Sequence, residues 1–275
     1  MQSDLPEKLP FTAWGTKGFE FWTLLSVLLK TAQPRALLEV GCGRSSTFFA
    51  DYAYAYHATY VGIENDLRWF NKTEFDIGLL GFKTQHLVHV PLSADASWYN
   101  LDAFRAATEN PGRFDFAFID GPNEKQFFAN DAEITKHFRT EDGSPFGHRD
   151  DPHGLGAIQS VTRDCDVMIV DDVQKDHVFR TVDRMLFEPE AYEKHYFLYH
   201  PHPEAANALC VCLKRNSLLA KRLPAILDFL GVHLERQYRP QDTQSAFRRF
   251  KKKGVWSCNN TFQLIRTYIP IFPEL

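Results

Sequence analysis

The stretch that most constrains this chain is residues 36–47, Ala-Leu-Leu-Glu-Val-Gly-Cys-Gly-Arg-Ser-Ser-Thr. Leu37, Leu38 and Val40 form a short apolar run, the mark of a strand covered on both faces. Gly41 and Gly43 allow backbone angles and ligand approach that a Cβ would block. Ser45 or Ser46 then starts a helix whose free N–H groups face the turn. This strand, turn and helix is a way of gripping a nucleotide, and two spacings compete for it. A dinucleotide fingerprint wants a third glycine at position 46, where this chain has Ser46. The other reading is Glu-x-Gly-x-Gly, in which Glu39 faces a ligand's amino group while the glycines admit its sugar and carboxyl portions.

Downstream residues support a nucleotide-type ligand. The strand at 60–63 ends in Glu64, about twenty residues past the glycine turn, where a carboxylate can accept both hydrogens of a ribose diol. Its neighbour Asn65 is read into the same site, and Asp66 as the cap of the next helix. Further strands read at 86–90, 114–119 and 166–170. Carboxylates therefore stand at the ends of strands one, two, four and five: Glu39, Glu64, Asp120 and the pair Asp171-Asp172. That is the edge where open α/β sheets bind ligands. Two closing segments, 193–199 and 207–213, are separated by Pro201 and Pro203, and the short link predicts an antiparallel pair.

With Glu39-x-Gly41-x-Gly43, Glu64, Asp120-Gly121 and Asp171-Asp172 in order, the chain over 19–213 resembles the class I S-adenosylmethionine-dependent methyltransferases. The resemblance implies an α/β Rossmann-like three-layer sandwich. Its seven-stranded, mostly parallel sheet would have order 3-2-1-4-5-7-6, with the last strand antiparallel. It implies S-adenosylmethionine as cofactor, held by Glu39, Gly41, Gly43, Ser45, Glu64, Asn65 and Asp120, with Asp95 in the loop beside the adenine. Neighbouring fourth and fifth strands would bring Asp120, Asp171 and Asp172 together as hard oxygen ligands for Mg²⁺. That arrangement is similar to the metal site of catechol O-methyltransferase-like and sugar O-methyltransferases. Relatives often carry a His three positions past the fourth-strand aspartate, where this chain has Asn123. Lys125, His148 and His153 are the substitute bases, with Asp120, Lys125 and His153 the catalytic candidates. The expected reaction is O-methylation of a small molecule or sugar. The rivals are a nicotinamide oxidoreductase and a non-catalytic binding domain of the same fold.

At 275 residues with 44% hydrophobic and 24% charged residues, the chain suits one core domain, 1–215, with an extension, 216–275. Many of its 24 Phe belong to an aromatic core. A net charge of −4 provides no global attraction to nucleic acid or anionic membranes. No stretch reads as a membrane span or export signal. Five cysteines without zinc-site spacing read as reduced, cytoplasmic thiols, Cys210 and Cys212 pointing the same way from one strand.

Four further segments complete the reading. Phe19, Trp22, Leu25 and Leu28 recur at helical spacing, a helix expected over a sheet edge or the cofactor mouth. Phe48, Tyr52 and Tyr56 mark the face of the next helix expected to pack on the sheet. Residues 139–156 read as a loop over the site. In the extension, a helix at 218–230 is expected to be interrupted by Pro224. The basic run 248–253 reads as a solvated face, and the apolar 268–272 as docking on the body or on a second subunit of a homo-oligomer.

Overall fold

The computed structural model describes residues 19–82, 85–93, 99–122, 165–173, 178, 192–202 and 205–229. Asp95, Asn123, Lys125, His148, His153, the loop at 139–156, the basic run and the apolar 268–272 lie outside them. The elements in chain order are α1 (Phe19–Ala32), β1 (Ala36–Val40), α2 (Arg44–Tyr56), β2 (Thr59–Glu64), α3 (Leu67–Leu79) and β3 (Gln85–His89). They continue with α4 (Leu101–Thr108), β4 (Phe116–Ile119), β5 (Val167–Val170), β6 (Tyr192–His202), β7 (Ala205–Lys214) and a helix, here α5, at Leu218–Phe229.

The sheet has seven strands in the order β3-β2-β1-β4-β5-β7-β6. β1 to β5 run parallel, β7 is antiparallel to β5, and β6 is antiparallel to β7. β1, β4 and β5 are apolar nearly throughout because both their faces are covered. Alternate residues feed two cores. Leu37, Phe116, Phe118, Ile169 and Val211 face one side with α1, α2 and α5. Leu38, Val40, Ala117, Ile119, Val170 and Cys210 face the other, with Phe104 of α4. Cys210 and Cys212 do point the same way, their Sγ atoms 3.7 Å apart. β6, an edge strand, runs on through Pro201, with a register irregularity between Tyr199 and His202. An edge tolerates a residue that cannot donate to the ladder.

α1 packs on the edge strand β6, as expected of a helix over a sheet edge, and reaches across the sheet face to Phe118 of β4, where Phe21 meets that ring at 5.9 Å. Two other expectations change on contact with the structure. On α2, Phe49 is the ring packed deepest on the sheet, against Tyr60, Phe116 and Phe118, while Tyr56 is exposed and stacks on Tyr52. Ala50 and Ala53 bury beside Phe49 and Tyr52, so the contact stripe is rotated toward the small residues that let the helix approach the sheet. Finally, α5 continues through Pro224, forgoing the one helical hydrogen bond that a proline nitrogen cannot donate. Leu219 and Leu223, buried in the first core, hold it to the body. Among the described residues no helix is long and apolar enough to cross a membrane.

Candidate functional site

The parallel strands set β1, β2 and β4 side by side, so their C-terminal ends meet at one place. Gly41 sits there with φ +87°, a left-handed angle that favours glycine. A Cβ at Gly41 would stand 2.5 Å from the Asp120 carbonyl oxygen and 2.8 Å from the Gly121 Cα. The chain segments after β1 and β4 thus cross in backbone contact. Gly43 differs: its φ of 178° is ordinary extended backbone, and none of the described residues lies within 4 Å of its missing Cβ. Gly41 is therefore a packing and conformational requirement, and Gly43 leaves open space beside the turn.

Each N–H of the turn is already committed. Gly41 N–H donates to the Ile63 carbonyl at 2.8 Å, and Cys42 N–H to Glu64 Oε2 at 2.9 Å. Gly43 N–H donates to Ser46 Oγ at 2.9 Å, half of a capping box at the start of α2. Ser46 is fully buried, so the residue that replaces the third glycine of a dinucleotide fingerprint occupies the donor such a site would offer to pyrophosphate.

Glu64, 6% exposed, gathers the next loop. Its Oε1 accepts from the N–H groups of Asn65 (2.8 Å) and Asp66 (2.7 Å), and its Oε2 from Cys42. With about four acceptor directions on a carboxylate, one remains, on Oε2. Among the described residues, the Oε2 side of Glu64 is therefore where a further donor can be accepted. Burial pushes its carboxyl up, and the three backbone donors work against that. Asp66 caps α3, accepting from the N–H groups of Arg68 and Trp69, and pairs with the Arg68 guanidinium at 3.0 Å. An open cleft of about 640 Å³ follows, lined by Asn65, Asp66, Leu67, Arg68, His89, Pro91 and Leu92 at the ends of β2 and β3. His89 Nε2 lies 3.0 Å from the Asn65 carbonyl, which holds one wall of this cleft to the other.

Beneath the turn lies a polar cluster. Glu39 is fully buried, and its Oε2 accepts from the Tyr60 hydroxyl. Among the described residues no hydrogen bond reaches its Oε1. Burial pushes the Glu39 carboxyl up to about 7, against the hydroxyls of Ser45, Tyr60 and Ser46, and the Asp120 charge adds to the rise. Tyr99, 1% exposed, brings its hydroxyl to 3.3 Å from where a Gly121 Cβ would stand. The sequence reading passed over Tyr60, Gly62 and Tyr99. The one available signal was a glycine inside an apolar strand, which marks a close approach.

The structure brings together Glu39, Gly41, Gly43, Ser45, Glu64, Asn65 and Asp120 around the strand ends. It does not assemble the cation site. Among the described residues no group of three or more His, Cys, Asp or Glu side chains is placed to hold a metal ion, so Asp120, Asp171 and Asp172 do not form one. β4 and β5 are neighbours as expected, but Asp171 is 1% exposed and its Oδ1 accepts from the Asp172 N–H at 2.8 Å. Asp172 adopts φ +63°, a left-handed backbone angle uncommon for a residue with a Cβ.

No protein-family model matches the sequence, and no curated protein does. Among solved structures the chain is similar to an O-methyltransferase from Bacillus cereus in complex with S-adenosylhomocysteine, at 14% identity over 72% of this chain and 82% of that one, TM-score 0.50. It is also similar to an S-adenosylhomocysteine-bound methyltransferase from Podospora anserina (12%, 72% and 78%, TM-score 0.44). A third is an rRNA methylase from Streptococcus thermophilus (11%, 72% and 97%, TM-score 0.44). Identities this low speak for architecture alone. Strand order, the antiparallel closing strand and the first of these likenesses agree that the chain has the Rossmann-like α/β fold of the methyltransferases.

Proposed function

We propose that this protein is an S-adenosylmethionine-dependent methyltransferase acting on an oxygen of a small molecule or sugar. The observation that carries the reading is the commitment of all three turn N–H groups, of Gly41, Cys42 and Gly43, to the protein itself. A pyrophosphate would compete for those donors, whereas a ligand presenting an amino acid portion and a ribose needs acceptors and space. Glu39 and Glu64 supply the acceptors, Gly43 the space, and the cleft beside Asn65 room for a base. The same commitment, with the antiparallel β7, argues against a nicotinamide oxidoreductase.

The bound cofactor supplies an electrophilic methyl group. The chain's share is alignment, exclusion of water and removal of the acceptor's proton. Asp120, half-buried at the end of β4, is the described residue assigned to that last role, and Lys125 and His153 remain candidates beside it. No step is assigned to a metal.

Glu64→Gln tests the reading more cleanly than Glu64→Ala, which strands three N–H groups at once. Removing the charge from an acceptor that meets a ribose hydroxyl lowers affinity for S-adenosylhomocysteine about tenfold or more, roughly 1.5–3 kcal/mol. Calorimetric titration measures it. Unchanged affinity places the ribose away from Glu64.

A further inference from the structure

β2 carries Tyr60 and Gly62 on one face, two residues apart. The Tyr60 ring stacks on Phe49 of α2 with centroids 6.1 Å apart, and its hydroxyl donates to Glu39 Oε2 across the strand pair. Gly62 is the residue in register with Glu39, and a Cβ there would stand 2.5 Å from the Tyr60 hydroxyl. The missing side chain is what lets a tyrosine hydroxyl lodge against the end of β1. Glu39 and Tyr60 are both fully buried.

Among the described residues, the groups acting on Glu39 come from every neighbouring element: the Tyr60 hydroxyl from β2, Ser45 and Ser46 from α2, and Asp120 from beyond β4. Cys42 in the turn and Tyr99 ahead of α4 also feel its charge. None of the six is cationic. A buried carboxyl without a cationic neighbour favours its neutral form, and a ligand that brings a positive charge reverses that preference.

We propose that Tyr60 is a positioning residue of the ligand site: its hydroxyl fixes the Glu39 carboxyl through Oε2 and leaves Oε1 for a positively charged group of the ligand, so that capture of the ligand and loss of the Glu39 proton to solvent are one event. This rests on the methyltransferase reading, whose cofactor and by-product both carry an ammonium group. Tyr60→Phe removes a donor that favours the carboxylate, and the structural role of the ring stays.

The probe is S-adenosylhomocysteine, titrated calorimetrically at pH 6, 7 and 8 in buffers of different ionisation enthalpy. The wild type is expected to release up to one proton per ligand, with affinity rising by up to ~tenfold per pH unit below the Glu39 midpoint. Tyr60→Phe should move that midpoint upward, with affinity ~threefold or more weaker at pH 7 and recovering at pH 8. Glu39→Gln, which keeps the shape, should bind without proton release and without pH dependence. An equal loss at every pH in Tyr60→Phe, or retention of the wild-type proton release in Glu39→Gln, overturns the proposal. If Tyr60→Phe fails to fold, the Glu39→Gln arm decides alone. Wild-type binding with no pH dependence brings down this proposal and leaves the methyltransferase reading standing; no binding at any pH brings down that reading.

Discussion

Gly41→Ala should destabilise the protein by about 2–5 kcal/mol, while Gly43→Ala, two residues away, should leave stability within about 1 kcal/mol and weaken ligand binding instead. At Gly41 two costs add. A φ of +87° is left-handed backbone, about 1–2 kcal/mol for a residue with a Cβ. The new carbon would also overlap the Asp120 carbonyl and the Gly121 Cα, which are backbone atoms unable to rotate away, and such overpacking costs ~1–3 kcal/mol. At Gly43 neither applies: φ is extended and the space is open. That space is where the ligand is proposed to pass, so the added methyl should lower S-adenosylhomocysteine affinity at least ~tenfold, about 1.4 kcal/mol. Thermal unfolding and calorimetry on both variants read the four values. A stable Gly41→Ala, or a Gly43→Ala with wild-type affinity, contradicts this division of labour.

The second large effect is a pH dependence of stability. The Glu39 carboxyl ordinarily titrates near 4.5 and is pushed by burial to about 7 in the folded protein. Because the folded value is the higher one, the folded state binds the proton more tightly. The stabilisation is fully present below pH 4.5 and is lost as the pH rises to about 7. A displacement of that size corresponds to about 3 kcal/mol. Glu39→Gln cannot ionise, so its stability relative to wild type should rise by about that amount between pH 4.5 and pH 7.5, roughly 5–10 °C in the difference of thermal midpoints. A constant difference between the two proteins across this range would mean that Glu39 does not titrate there.

Much of the fold was legible because it depends on local signals. The apolar runs of β1, β4 and β5 announce buried parallel strands. The glycine turn followed by serines announces a strand entering a helix, and Asp66 announces the cap that α3 uses. The face of α2 was harder: in one helix 48-52-56 and 49-53 are adjacent stripes, and only the sheet decides which is pressed inward. Pro224 misled for a related reason, since packing of Leu219 and Leu223 outweighs one lost hydrogen bond. The site was legible in outline, because carboxylates at successive strand ends converge wherever the sheet is parallel. Its wiring was not. Whether Glu39 meets Tyr60 depends on the pairing of Glu39 with Gly62, a register no single segment encodes. Adjacency of β4 and β5 likewise said nothing about the left-handed backbone at Asp172 or the Asp172 N–H that Asp171 accepts.

Calorimetric titration of the wild-type protein with S-adenosylhomocysteine and, separately, with NAD tests the central claim most directly. If the turn keeps its own N–H groups and offers carboxylates to the ligand, S-adenosylhomocysteine should bind with a Kd of order micromolar, about −8 kcal/mol, and NAD should give no heat up to millimolar concentration. NAD binding with no response to S-adenosylhomocysteine would contradict the account.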